Sequence, residues 1–96
     1  MSTKKMSNID EYQQLISHSI KYSKLELLGL NISKEAGELS DIIKKYQFDG
    51  EPLDVSYLND TLGAMMRTLA QLAHSAGLPL SEVISDDASK LSYKES

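Results

Sequence analysis

Cysteine and tryptophan are absent from this 96-residue chain, proline occurs twice and phenylalanine once. Without cysteine there is no disulfide framework and no thiolate metal site. No apolar run approaches the ~18 residues of a membrane span. The opening MSTKKMSNID places no apolar stretch behind its lysines, as a secretory leader would. These absences lead us to expect a cytoplasmic protein without a membrane partner. Positive charge is scarce as well: ten Lys and Arg stand against fourteen Asp and Glu, a net −4, and the basic residues are scattered among the acids. Direct DNA binding needs a basic stripe and is not expected. Nor is there a G-x-S-x-G, a Gly-rich phosphate loop or an H-E-x-x-H, which leaves nucleophilic hydrolases and zinc peptidases without a motif. His18 and His74 share no ligand spacing with each other or with a carboxylate and read as structural or solvated.

What the chain does have is helical periodicity. Ile9, Tyr12, Leu15, Ile16 and Ile20 recur at spacings of three and four, and Ser7 or Asn8 can accept from the free amides of a first turn, so a helix is predicted from about residue 8. A second apolar run extends from Leu25 to Tyr46, with a bend or break expected around Lys21 to Lys24. Gly29 and Gly37 lie inside that run, each costing about 1 kcal/mol relative to Ala, which close helix packing would excuse. Phe48-Asp49-Gly50-Glu51-Pro52 is turn chemistry and should end this helix. A third run, from about Val55 to Ala76, sets Leu58, Leu62, Met65, Met66, Leu69, Leu72 and Ala73 on one broad face, with Gly77 as its C-terminal cap. Pro79 leads into a shorter fourth helix with Leu80, Val83, Ile84, Ala88 and Leu91, which is expected to fray into the polar Tyr93-Lys94-Glu95-Ser96.

The expectation is therefore an all-α chain of four helices, an antiparallel bundle or part of a larger shared one. It divides into a flexible N-terminus over 1–7, a helical domain over 8–94 and a tail at 95–96. A chain this short buries only roughly 60 to 65% of the surface it exposes when unfolded, so it needs tidy packing or a partner subunit. Apolar faces such as that of Leu58, Leu62, Met65 and Leu69 would be poorly covered in a monomer.

The stretch KEAGELSDIIKKY, residues 34 to 46, carries chemistry. Glu35, Glu38 and Asp41 follow at intervals of three and rise along one helix edge, where like charges repel. Mg²⁺, which favours carboxylate oxygens, would repay that repulsion. Pairing of Asp41 with Lys45 at i,i+4 on an ordinary solvated face is the competing explanation, and spacing alone leaves both open.

LLGLNISKEAGELSDIIKKYQFDGEPLD closely resembles the first motif helix and loop of the MazG-like, all-α nucleoside triphosphate pyrophosphohydrolases, with their E-x-x-E in a GEAGE-like core. DEYQQLI resembles the opening helix of that family, LNDTLGAMMRTLAQLAHSAGLPLSEV its second motif helix, and DASKL its closing N-x-x-K-L element, so the likeness runs from about Ile9 to Lys94. It implies a four-helix MazG-like bundle completed by pairing of subunits into dimers or tetramers. It also implies Mg²⁺-dependent cleavage of a nucleoside triphosphate to monophosphate and pyrophosphate.

On that likeness Glu35 and Glu38 match the first pair of metal-binding acids, and Asp41 matches an acid often present. The second pair, an E-x-x-D within E-L-G-D, reads Thr61-Leu62-Gly63-Ala64 here, so both carboxylates are missing. Asp60 stands one residue before Thr61, about 100° away around a helix, and should point elsewhere. Lys34 adds a positive charge beside Glu35 where the family carries Gly or Glu. Lys90 and Lys94 match basic positions associated with the nucleotide, while Asp87 replaces the usual Asn and repels phosphate. The expectation is a catalytically impaired homologue that binds a nucleotide or a protein partner, with Mg²⁺ held weakly if at all. The alternatives are an active enzyme with a reduced Mg²⁺ site and a purely structural helical protein.

Overall fold

A computed structural model describes the backbone of residues 8–19 and 24–95, with the side chains of all of these except Ser19 and 92–95. The expected flexible segment 1–7 and the final residue of the expected tail lie outside the described residues. Within them the protein is all-helical: α1 spans Ile9–Ser19, α2 Leu25–Gln47, α3 Val55–Ser75 and α4 Leu80–Glu95. Ile20 and most of the bend or break expected around Lys21 to Lys24 lie outside the described residues; Lys24 itself is extended (φ −78°, ψ 139°) and precedes α2. α4 runs on through Glu95, into the polar stretch expected to fray. No described helix is long and apolar enough to cross a membrane.

The ends of these helices follow from local chemistry. Asn8 Oδ1 accepts from the Asp10 and Glu11 amides at 2.8 and 3.4 Å and caps α1. Asp54 Oδ1 accepts from the Tyr57 amide at 3.0 Å and starts α3. At the other end of α3, Gly77 adopts φ 72°. That left-handed turn lets its N–H reach the His74 carbonyl (3.0 Å) and the Leu78 N–H reach Ala73 (2.8 Å), a Schellman closure. Gly50, also at φ 72°, turns the chain from α2 towards α3.

α3 is the hub. α2 packs on α3 alone, while α1 and α4 pack on α3 and on each other. The buried cluster is small, Ile16 with Ala70, Ala73 and Leu80, flanked by Tyr12. Around it α1 supplies polar ties to the start of α4. Gln13 Nε2 donates to the Leu78 carbonyl at 2.9 Å, its Oε1 accepts from the Leu80 amide at 2.9 Å, and the Asp10 carboxylate accepts from both the amide and the hydroxyl of Ser81 at 3.2 and 2.7 Å. α4 is thus capped by side chains from α1. Beyond Ser81 every α4 residue up to Leu91 is exposed.

The apolar face of α3 is poorly covered within one chain, as expected: Ala73 is buried, Leu58, Met65 and Leu72 are half-buried, and Leu62, Met66 and Leu69 are exposed. The reason is rotational: α3 meets α2 through a different stripe that includes the buried Thr61 and Thr68. The expectation that close helix packing excuses Gly29 and Gly37 is corrected, because among the described residues nothing lies within 4 Å of where a Cβ would stand at either.

Candidate functional site

On α3, Tyr57, Thr61, Ala64 and Thr68 follow at steps of four, three and four, so they form one stripe. On α2, Glu35 and Glu38 are one turn apart. The two sets meet across the antiparallel α2–α3 seam. Thr68 Oγ1 donates to the Glu35 carboxylate, at 2.9 Å from Oε1 and 3.2 Å from Oε2, and shares its proton with the Ala64 carbonyl at 3.1 Å. Tyr57 Oη donates to Glu38 Oε2 at 3.1 Å. Tyr57 and Thr68, whose hydroxyls engage the two glutamates, stand about 16 Å apart along the axis of α3. Each carboxylate therefore has a hydroxyl partner from α3, where the family resemblance places acids between them.

Between Tyr57 and Thr68 in the stripe lie Thr61 and Ala64, which only the resemblance matches to a second acidic pair. Thr61 is 3% exposed and its Oγ1 has no hydrogen-bond partner among the described residues. Ala64 is half-buried and offers no side-chain polar atom. Asp60 is exposed on a neighbouring flank of α3, as its angular offset predicts. Lys34 Nζ approaches Glu38 Oε1 at 3.9 Å from the solvent side. Asp41 pairs with Lys45 at 3.3 Å, both about half exposed, which is the solvated-face reading of that residue. Among the described residues no three acids or histidines gather closely enough to hold a metal ion.

The electrostatics reflect these bonds. The Tyr57 phenol is pushed above its usual value chiefly by its hydrogen bond to Glu38, then by the charge of that same carboxylate. Lys45 is raised by its hydrogen bond to Asp41 and by the Asp41 charge. Beside them, at the loop end of the seam, a cleft of about 370 Å³ is lined by Asp41, Lys45, Glu51, Asp54 and Tyr57 among others. Three carboxylates against one ammonium make that cleft unwelcoming to phosphate.

Asp87 and Lys90 lie exposed on α4. α4 makes no contact with α2, so within one chain they are not brought to Glu35 and Glu38. The side chain of Lys94 lies outside the described residues. Sequence reasoning missed Tyr57 and Thr68, although both continue the stripe of Thr61 and Ala64 at helical spacing, which was a usable signal.

Comparison of the chain with protein-family models, with curated proteins and with solved structures finds no match.

Proposed function

We propose that the protein is a MazG-like helical module impaired in pyrophosphohydrolase activity. In this reading it acts by binding, as a nucleotide-holding or protein-interaction module whose subunits pair into dimers or tetramers. The observation that supports this reading is the α3 stripe facing Glu35 and Glu38: two hydroxyls engage the acids, and a buried Thr61 and an Ala64 fill the interval between them. Water attack on phosphorus flanked by anionic oxygens requires cations that neutralise developing charge, and the resembled enzymes hold those cations with about four carboxylates. Here Glu35 and Glu38 stand alone on the seam, while Asp41 is turned to Lys45. The residues present do not fit a four-carboxylate Mg²⁺ cage.

Binding is a smaller demand. Lys90, exposed on α4, is free to meet a phosphate group, and Lys94 is its companion in the resembled motif, with Asp87 one turn before Lys90 opposing the same anion. Thr61→Glu with Ala64→Asp rebuilds the missing pair and tests the reading. Four converging acids repel in the metal-free state, so Mg²⁺ should raise the melting temperature of this variant well above its own metal-free value, and that of the unmodified protein very little. Equal stabilisation of both by Mg²⁺ would promote the alternative, an active enzyme with a reduced metal site.

A further inference from the structure

We propose that Asp49 is a site of covalent self-modification, at which the Gly50 amide closes onto the Asp49 side chain to form a cyclic imide that water reopens to an isoaspartyl linkage. The turn between α2 and α3 is where the fold leaves this chemistry open.

Sequence supplies the first condition. Attack by a backbone nitrogen on the preceding side-chain carbonyl is crowded by any Cβ on the attacking residue, and glycine has none. Of the five glycines only Gly50 follows an Asp or Asn.

The second condition is a free amide beside a free carboxyl, and here the fold discriminates. Asn31, Asp41, Asn59, Asp60, Asp86 and Asp87 lie inside α2, α3 or α4, where the following amide donates along the helix and its peptide plane is held. Asn8 and Asp54 use side-chain oxygens as helix caps and precede the branched Ile9 and Val55. Asp10 is held by Ser81, and the amide after it donates to Asn8. Asp49 differs from all of these. It and Gly50 are exposed, and neither the Asp49 carbonyl, the Asp49 carboxylate nor the Gly50 N–H has a hydrogen-bond partner among the described residues. The peptide plane between them can turn without breaking a bond.

The step balances without a co-reactant other than water. Gly50 N attacks Cγ of the protonated Asp49 carboxyl; the N–Cγ bond forms, the Cγ–OH bond breaks, and the hydroxyl leaves with the amide proton as water. Water then adds at one of the two imide carbonyls. Breaking the N–Cγ bond restores aspartate, whereas breaking the bond from N to the main-chain carbonyl carbon leaves the chain running through Cγ, one methylene longer. Charge is unchanged by the conversion, but the closure of α2 is not. The Lys45 carbonyl accepts from the Asp49 and Glu51 amides, each at 3.2 Å, with Gly50 at φ 72° between them. A methylene inserted between those two donors displaces one of them. Conversion therefore loosens the turn that carries Glu51 into the cleft beside Asp41 and Tyr57.

Ageing of the folded chain in warm neutral buffer tests the proposal, read by tandem mass spectrometry and by methyl transfer from S-adenosylmethionine with an isoaspartyl methyltransferase. Asp49 should pass through a species one water lighter and gain isoaspartate as fast as a synthetic peptide of residues 45–53, with the other Asp and Asn residues unconverted. Asp49→Glu keeps the charge but would need a six-membered ring, and should lose methyl acceptance entirely. The Glu51 amide should exchange its hydrogen faster in converted chains than in unconverted ones, and at the unconverted rate in Asp49→Glu aged alongside. Conversion many-fold slower in the folded chain than in the peptide, or methyl acceptance that Asp49→Glu retains, would overturn the site. Unchanged exchange at Glu51 in converted chains would overturn the loosening of the turn.

Discussion

Thr61 and Thr68 lie on one stripe of α3, both are 3% exposed, and they sit in opposite hydrogen-bonding circumstances. Thr68 donates to a carboxylate; the Thr61 hydroxyl is buried without a partner among the described residues. A buried unmet hydroxyl costs about 1–3 kcal/mol, whereas a hydroxyl bonded to a charged group stabilises by about 1.5–3 kcal/mol. Thr61→Val, which keeps the shape and removes the hydroxyl, should therefore raise stability by about 1 kcal/mol, and Thr68→Val should lower it by about 1–2 kcal/mol. Urea denaturation of both variants checks the contrast, and loss of stability in both would mean that Thr61 has a partner of its own. The Tyr57–Glu38 bond makes a second prediction. Its folded-state phenol value is raised, so its contribution is complete below the unfolded value of about 10 and is lost as pH rises beyond it. Spectrophotometric titration should show a late-ionising tyrosine that Tyr57→Phe removes. Tyr12 is also raised, by burial, and should remain late in that variant.

At the scale of elements, much was legible because it was local. Asn8 caps α1, Gly77 closes α3, Asp41 pairs with Lys45 one turn on, and the helix bounds fall close to where periodicity put them. What was not legible required knowing which helix meets which. The buried stripe of α3 contains Thr61 and Thr68 and its largest apolar residues are outside, a choice made by the docking of α2 that no composition of α3 alone reveals. The capping of α4 by α1 was invisible for the same reason, since Gln13 and Leu80 lie far apart in the chain. Gln13→Ala would strand the Leu80 amide and the Leu78 carbonyl and should cost about 2–3 kcal/mol. Hydrogen exchange should quicken in the first turn of α4 and change little in α2, on which α1 does not pack. Uniform acceleration through all four helices would mean that α1 holds the whole chain and not the start of α4.

At the scale of the molecule, the acids of α2 face hydroxyls and a methyl group where pyrophosphate chemistry would require more acids. Glu35 and Glu38 were readable as a pair from their spacing, and Thr61 and Ala64 as the gap from the resemblance; Tyr57 and Thr68, which engage the two acids, needed the fold. Lys90 on α4 stands apart from this seam in a single chain, so one subunit does not bring a phosphate contact and the acids together. The most direct measurement is release of pyrophosphate from the common nucleoside triphosphates in the presence of Mg²⁺. The rate for the unmodified protein should be no higher than that of its own Glu38→Ala variant. Robust Mg²⁺-dependent release that Glu38→Ala abolishes would contradict this expectation.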